Sequence, residues 1–168
     1  MAKLPNLSTL EYGVTKNTTF IEYVDSKFGT LEVCADQVGV TSISFVKDKS
    51  KAIKQCLFTQ QTVEQLYEYF SGKRTQFNLS LNAQGRDLQH QVWQELSTIQ
   101  YGQTCSYADV AKNINNVKAV RAVGTANARN PLTIVVPCHR VIGSDGKLTG
   151  YAWGTSIKAG LLEHEQSR

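Results

Sequence analysis

The chain has 168 residues, of which 41% are hydrophobic and 19% are charged, and its formal net charge is +4. This composition is typical of a folded globular protein and excludes a disordered or fibrous chain. No apolar run approaches the roughly 20 residues of a membrane span, and the first residues lack the apolar core of a signal peptide. We therefore expect a cytoplasmic protein with no membrane partner.

The cysteines and histidines show no pattern of metal or disulfide chemistry. Cys34, Cys56, Cys105 and Cys138 have no C-x-x-C spacing, and the three histidines do not stand at zinc-ligand intervals from them. The sequence therefore predicts no metal site, no cofactor and a reducing environment.

Positive charge is concentrated in the last part of the chain. Residues 1–100 contain ten lysines and arginines and ten acidic residues, whereas residues 101–168 contain eight and four. A basic region favours a polyanionic partner, although four surplus charges are also typical of an ordinary solvated surface.

The first half of the chain has the pattern of a small sheet followed by a helix. Segments rich in β-branched and aromatic residues predict an antiparallel meander of strands at residues 18–24, 30–35 and 40–46. A capping box of Thr62 and Gln65 predicts a helix that ends before Gly72. The apolar stripe expected on this helix consists of Val63, Leu66, Tyr67 and Phe70. Residues 76–82 alternate like a further strand.

The second half is mainly helical in pattern. A helix is predicted at residues 86–99, and Ser106 with Asp109 forms a capping box for the next one. After a turn at Asn115 and Asn116, residues 118–128 form another helix. Two short helices joined by a tight turn predict a helix-turn-helix, which often contacts nucleic acid, although an ordinary helical hairpin is the commoner arrangement.

The end of the chain combines a turn with a final helix. The sequence GSDG at residues 143–146 predicts a tight hairpin turn between two strands, and a helix begins near Thr155. Helical periodicity places Glu165 beside Leu161 and Leu162 on the packed face. A carboxylate that faces a core needs a partner, and an imidazolium is a natural one.

Cys138 stands next to His139 and Arg140 between two β-branched runs. The thiolate is the reactive form of cysteine, and a neighbouring base or positive charge helps to generate it. Adjacent residues of a strand point to opposite faces, so the imidazole reaches the sulfur only if the pair lies at a bend, which Pro137 favours. The bare pair also fits a cysteine that is merely a small buried hydrophobe.

Four segments of the sequence are distinctive, namely KAVRAVGTANARNP (118–131), PCHRV (137–141), GKLTGYAWG (146–154) and LLEHE (161–165). Together they resemble the O6-alkylguanine-DNA alkyltransferases, also called methylated-DNA–protein-cysteine methyltransferases. The resemblance is densest over residues 88–165 and implies an α+β fold. An N-terminal lobe, residues 1–84, has a small RNase H-like sheet and a helix. It packs on a mainly helical C-terminal lobe, residues 85–168, with a winged-helix-like helix-turn-helix.

The resemblance implies DNA repair by direct reversal. A methyl or small alkyl group moves irreversibly, once per protein molecule, from O6 of guanine, and from O4 of thymine, to Cys138. The expected partner is double-stranded DNA that contains O6-alkylguanine, and the expected state is a monomer. A base inside a duplex cannot present its O6 substituent to a protein sulfur, so the nucleotide must be flipped out.

The resemblance also implies roles for individual residues. Cys138 attacks the alkyl carbon, His139 accepts the thiol proton through a water, and Glu165 orients the imidazole. Tyr107 donates a proton to the guanine and helps to rotate the nucleotide, and Lys158 supports the site. Outside this context, Tyr107 would be interpreted as a packed aromatic and Lys158 as a solvated lysine.

Further residues are implied in DNA binding and in the pocket. Arg121 fills the vacated place in the base stack, Asn130 is a hinge between the helix-turn-helix and the cysteine, and Arg140 belongs with the DNA-binding residues. Small residues that let the second helix approach the minor groove are Ala119, Ala122, Gly124 and Ala126.

Pro137, Tyr151 and Trp153 are expected to line the pocket. Trp153 replaces a small residue of many relatives, so we expect methyl groups to be accepted readily and benzyl groups poorly. Gly160 stands where relatives often carry a large aromatic residue, and we expect Trp153 to fill that space.

Two other functions fit parts of the sequence. A Cys-His pair is also found in cysteine hydrolases, although these generally take the histidine from a distant segment. A DNA-binding protein without catalysis, like the alkyltransferase-like proteins, would resemble this family but lack the reactive cysteine that Cys138 provides.

Overall fold

A computed structural model of the chain describes residues 18–167. Residues 1–17, to which the expectation about a signal peptide refers, and Arg168 lie outside the described residues. The fold is α+β, as predicted, with a three-stranded sheet and one helix followed by a mainly helical lobe.

The N-terminal sheet consists of β1 (Phe20–Ser26), β2 (Gly29–Ala35) and β3 (Val40–Val46), which pair antiparallel in that order. This confirms the predicted meander. The side chains on one face of the sheet pack against the following helix α1 (Leu57–Phe70). The fully buried members of that face include Val24, Leu31, Val33 and Ile43.

Helix α1 begins five residues before the predicted start at Thr62. The cap is made by Thr59, whose Oγ1 accepts a hydrogen bond from the backbone N–H of Cys56 at 3.0 Å. Thr62 lies inside the helix, and its hydroxyl donates to the carbonyl of Phe58. The buried stripe therefore differs from the expected one: Tyr69 is fully buried, whereas Tyr67 is 49% exposed.

Residues 76–82 do not form the predicted strand. Their backbone makes an isolated bridge between Leu81 and Val40. The side chain of Gln65 takes both backbone groups of Asn78, with its Nε2 2.9 Å from the carbonyl oxygen and its Oε1 2.9 Å from the N–H. A strand would use these same N–H and carbonyl groups to pair with a neighbouring strand.

The C-terminal lobe contains the helices α2 (Asp87–Leu96), α3 (Tyr107–Asn113), α4 (Val120–Ala128) and α5 (Thr155–Gln166). Two-residue strands, β4 (Cys105–Ser106) and β5 (Val141–Ile142), pair parallel. The predicted capping box is confirmed, because Ser106 Oγ accepts from the N–H of Asp109 and the carboxylate accepts in return. The helices α3 and α4, joined by a turn with Asn115 at φ 58°, form the helix-turn-helix.

The predicted hairpin after Cys138 is only partly formed. The N–H of Gly143 donates to the carbonyl of Lys147 at 2.9 Å, which closes the turn. No strand follows it in residues 147–150, and β5 pairs with β4 instead. The carbonyl of Thr149 turns inward and accepts a hydrogen bond from the Nζ of Lys158.

The segment before Cys138 is anchored on the N-terminal sheet. The N–H of Ile43 donates to the carbonyl of Pro131 at 2.8 Å, and the N–H of Thr133 donates to the carbonyl of Ile43 at 3.1 Å. This segment therefore extends the sheet at β3, so the sheet helps to place the residues that follow. Among residues 18–167, no helix has the length and apolarity required to cross a bilayer.

Candidate active site

Cys138, His139 and Arg140 form one 3-10 turn directly before β5. The predicted bend is therefore confirmed, with Pro137 at its start. Successive residues of a 3-10 turn are about 120° apart, so the three side chains diverge instead of alternating between two faces. All three are buried, with His139 completely inaccessible and Cys138 5% exposed.

The sulfur of Cys138 lies among hydrogen-bond donors. Asn130 Nδ2 is 3.1 Å from the sulfur and also donates to the carbonyl of Val136 at 2.7 Å, while its Oδ1 accepts from the N–H of Leu132. Burial raises the pKa of the Cys138 thiol, although the hydrogen bond from Asn130 opposes this rise. The resting thiol is therefore protonated at neutral pH, and a reaction at sulfur needs a base.

His139 follows Cys138 directly in the turn, and a carboxylate holds its imidazole. Its Nε2 is 2.7 Å from the Oε1 atom of Glu165. Because an ionised carboxylate only accepts hydrogen bonds, Nε2 carries the hydrogen and Nδ1 keeps its lone pair. Nδ1 makes no hydrogen bond to any residue of the described range 18–167. Burial lowers the pKa of His139 despite the neighbouring carboxylate, so the ring is neutral at neutral pH.

Glu165 lies on the packed face of α5, as its periodicity predicts, while Glu163 is exposed. Its carboxylate accepts five hydrogen bonds. Oε1 accepts from His139, from Nη2 of Arg140 at 2.9 Å and from the hydroxyl of Tyr69 at 2.8 Å. Oε2 accepts from Nε of Arg140 at 2.9 Å and from the N–H of Gly102 at 3.2 Å. Although burial alone would raise it, hydrogen bonds from His139 and Arg140 hold the pKa of Glu165 well below its usual range.

Arg140 has a different position from the one expected. The resemblance places it with the DNA-binding residues, but its side chain is buried. Its guanidinium binds both oxygens of Glu165, and its Nη1 donates to the carbonyl of Ile99 at 2.6 Å. With its donors used inside the protein, Arg140 supports the carboxylate instead of facing a duplex.

Tyr69 is a contact of the site that the sequence analysis did not predict. It comes from α1, 96 residues before Glu165, and local periodicity gives no signal for a contact between two lobes.

Tyr107 and Lys158 lie beside each other. The Nζ atom of Lys158 is 3.5 Å from the Tyr107 hydroxyl, and Lys158 is fully buried, which excludes a solvated lysine. Thr149 Oγ1 also donates to this hydroxyl at 3.4 Å. The phenolic oxygen therefore lies within reach of both the Lys158 ammonium and the Thr149 hydroxyl. A Cβ atom on Gly124 would lie 3.9 Å from the Tyr107 ring, so α4 passes close by.

The outer side of α4 presents Arg121, which is exposed. Three small residues expected near it, Ala119, Ala122 and Gly124, are partly exposed. Ala126 is not part of this surface. It is 2% exposed, and its carbonyl accepts a hydrogen bond from the indole N–H of Trp93 at 3.0 Å.

Trp153 is fixed against the N-terminal sheet. Its indole N–H donates to Thr133 Oγ1 at 3.1 Å, and its ring packs edge-on against Phe45 with centroids 5.9 Å apart. The expectation that Trp153 fills the space beside Gly160 is wrong. A Cβ atom on Gly160 would lie 2.6 Å from the ring of Phe28, so Phe28 occupies that space.

The other two expected pocket residues have different surroundings. The buried hydroxyl of Tyr151 faces Cys138, and burial together with this thiol raises the pKa of Tyr151. Pro137 lines a cavity of about 800 Å³ between the lobes, together with Ile99 and Arg140, and Cys138 is not part of its lining. Residues 18–167 contain no group of three His, Cys, Asp or Glu side chains that could bind a metal ion.

Two protein-family models match the chain. Residues 19–83 match "6-O-methylguanine DNA methyltransferase, ribonuclease-like domain", and residues 87–167 match "6-O-methylguanine DNA methyltransferase, DNA binding domain". Together they cover most of the sequence.

Individual relatives agree with these matches. The methylated-DNA–protein-cysteine methyltransferase of Methanosarcina barkeri is 42% identical over an alignment of 154 residues, and the match covers 88% of this chain and 98% of the relative. The Mycobacterium bovis protein of the same name is 53% identical over 106 residues, 63% of this chain and 64% of the relative.

Solved structures agree as well. The structure of Mycobacterium tuberculosis OGT in complex with DNA has a TM-score of 0.81 and 41% identity, covering 88% of this chain and 93% of that chain. The structure of Mycobacterium tuberculosis O6-methylguanine methyltransferase has a TM-score of 0.81 and 39% identity, covering 90% and 94%. The chain therefore belongs to the family of methylated-DNA–protein-cysteine methyltransferases, DNA-repair enzymes that move a methyl group from damaged DNA to a cysteine of the protein.

Proposed function

We propose that the chain removes methyl and other small alkyl groups from O6 of guanine in double-stranded DNA and keeps each group on Cys138. The observation that carries this proposal is the arrangement of a thiol, a neutral imidazole with a free Nδ1 and an ionised Glu165 around one buried turn. A hydrolase would need water to release the product from the sulfur, whereas an alkyl thioether is stable to water. The reaction is therefore irreversible and occurs once per molecule.

The chemical step follows from these contacts. Nδ1 of His139 takes the thiol proton through a water, and the imidazolium that forms is stabilised by Glu165. The sulfur lone pair forms a bond to the alkyl carbon, the bond from that carbon to O6 breaks, and its electron pair moves into the guanine ring. Tyr107 donates its proton to the ring nitrogen, and the ammonium of Lys158 stabilises the phenolate that results. The products are S-alkylcysteine and unmodified guanine.

Access to the alkyl group requires that the nucleotide leave the duplex. We assign the minor groove to α4, because its partly exposed small residues, Ala119, Ala122 and Gly124, allow close approach. The exposed Arg121 takes the place of the flipped nucleotide in the stack. Asn130 connects this helix to the sulfur through its hydrogen bond to Cys138.

The proposal extends to a second substrate and to the state of the protein. O4-alkylthymine also carries an alkyl ether beside a ring nitrogen, so it suits the same nucleophile and proton donor. The expected state of the protein is a monomer. A reactive thiol favours the reducing cytoplasm.

The gap between the two family matches supports a lobe boundary at residues 84 and 85.

The test is intact-mass measurement after the protein meets duplex DNA with one O6-methylguanine. We expect a single methyl increment that maps to Cys138 and no further turnover. Cys138→Ala should bind the methylated duplex with unchanged affinity and transfer nothing. Turnover beyond one equivalent would indicate a hydrolase, and binding without transfer by the wild-type protein would indicate a damage-recognition protein.

A matched pair of substrates tests the flipping step. Arg121→Ala should react more slowly than wild type with methylated duplex and equally fast with free O6-methylguanine base, which needs no flipping. Arg129→Ala, a neighbouring exposed arginine beyond the end of α4, serves as the control for loss of charge alone. Equal rates of the Arg121 variant and wild type on the duplex would contradict the assigned role.

A further inference from the structure

We infer that Tyr69, a residue of the N-terminal lobe, is a positioning residue for methyl transfer that acts through Glu165 on the base His139. This inference rests on the proposed function and deepens it. It gives the N-terminal lobe a part in the reaction beyond that of a scaffold.

The geometry joins the two lobes at one carboxylate oxygen. The Tyr69 hydroxyl is 2.8 Å from Oε1 of Glu165, the same oxygen that is 2.7 Å from Nε2 of His139. Tyr69 and His139 are both completely inaccessible to solvent. No bulk water can therefore replace the hydroxyl if it is removed.

The ring of Tyr69 is held from several sides, so the direction of its hydroxyl is fixed. Its centroid lies between 5.2 and 6.1 Å from those of four neighbouring rings, which are Phe70, Phe77, Tyr101 and His164. A change of tyrosine to phenylalanine keeps this packing and removes only the oxygen.

Tyr69 can act only as a donor to Glu165. Burial and the charge of Glu165 raise the pKa of Tyr69, so the phenol keeps its proton throughout the accessible pH range. Three donors share Oε1. Each hydrogen bond reduces the negative charge that this oxygen presents to His139. Tyr69 therefore limits how strongly Glu165 stabilises the imidazolium, and it keeps His139 neutral and ready to accept a proton.

Removal of the hydroxyl has a predictable sign. Negative charge on Oε1 becomes more available to Nε2, so the pKa of His139 rises and the base is protonated at a higher pH. The variant leaves every other charged or titratable group around this pair in place. Those groups are Cys138, Arg140, Lys158, Tyr101, Tyr151 and His164.

The experiment compares Tyr69→Phe with wild type across pH 5 to 9 in single-turnover methyl transfer from duplex DNA. We expect the acid limb of the rate profile to move to higher pH by half a unit to one unit. The variant should therefore be about three- to tenfold slower on that limb. At the alkaline end we expect rates within about twofold of each other and equal affinity for methylated DNA. Tyr67→Phe, on the same helix and 49% exposed, should give the wild-type profile.

A second readout does not depend on transfer. The pKa of His139, followed by NMR of the labelled imidazole without DNA, should be higher in Tyr69→Phe than in wild type. Superimposable profiles and an unchanged His139 pKa would overturn the inference, as would a rate loss that is uniform in pH and accompanied only by a lower melting temperature. If wild type itself fails to alkylate Cys138, the proposed function fails, and the NMR titration still decides the role of Tyr69.

Discussion

Replacement of Glu165 by glutamine should destabilise the protein strongly, because the change affects a buried charge with five hydrogen-bond donors. Three of these donors point at Oε1, so the glutamine of the variant would place its amide oxygen at the position of Oε1. The amide NH₂ would then face Arg140 Nε and the N–H of Gly102, which are themselves donors. The buried guanidinium would lose its counter-charge.

The magnitude follows from the burial of the ion pair. Glu165 is 4% exposed and Arg140 is 6% exposed, so solvent can do little to compensate the unpaired charge. Breaking such a pair by removing one partner costs about 3–5 kcal/mol. The whole free energy of unfolding of a domain is about 5–15 kcal/mol, so Glu165→Gln should fold only marginally.

Urea unfolding at pH 7 measures this loss. We expect a lower midpoint with an unchanged dependence on urea concentration. Glu163→Gln, on the exposed side of the same helix, is the matched control and should stay within about 0.5 kcal/mol of wild type. A loss below about 1 kcal/mol for Glu165→Gln would refute the view that this carboxylate holds the buried network together.

Three further predictions concern the same region. Burial lowers the pKa of His139 from its ordinary 6.5. As the pH falls through 6.5, the unfolded chain therefore binds a proton at this histidine that the folded chain does not bind. The free energy of unfolding should decrease by up to about 1.4 kcal/mol per pH unit below pH 6. Calorimetry checks this, and a melting temperature that stays constant from pH 7.5 to 5.5 would contradict it. Asn130→Ala removes a hydrogen bond to the Cys138 sulfur and two to the backbone, so we expect a loss of about 2–3 kcal/mol in urea unfolding and a higher pKa of the thiol. The thiol pKa is measured from the pH dependence of its reaction with a disulfide reagent, and an unchanged value would show that Asn130 does not act on the sulfur. The third prediction concerns Trp153. We expect free O6-benzylguanine to inactivate wild type much more slowly than free O6-methylguanine does, and we expect Trp153→Gly to reduce this difference in rate. Comparable inactivation rates of wild type with the two bases would count against a pocket narrowed by Trp153.

Local patterns predicted the parts of the fold that depend on neighbours in the chain. The three strands, the cap at Ser106, the helix-turn-helix and the packed position of Glu165 all follow from alternation, capping or helical periodicity. The bend at Cys138 also followed from the sequence, because a proline precedes it and a strand would have separated the thiol from the imidazole. In these cases, the interactions that decide the structure lie within a few residues.

The errors in secondary structure have two causes: a side chain outside the segment takes its backbone groups, or two nearby residues compete to cap a helix. Residues 76–82 alternate like a strand, but the side chain of Gln65 takes the backbone of Asn78. The start of α1 depends on two nearby threonines, and the sequence pattern chose Thr62 although Thr59 makes the cap. The segment after β5 was expected to complete a hairpin, yet the buried Lys158 draws the carbonyl of Thr149 inward.

The proposed roles of Cys138 as nucleophile, His139 as base and Glu165 as orienting acid came from the resemblance to a known family, whereas local patterns gave only the bend at the cysteine and the packed face of the acid. What could not be read was the set of contacts that makes this acid work. Arg140 has the sequence position of a DNA-facing arginine, and it is the folding of α5 over the turn that buries it against Glu165. Tyr69 reaches the same carboxylate from the other lobe. The two residues are 96 positions apart, so the local sequence pattern of neither segment indicates this hydrogen bond.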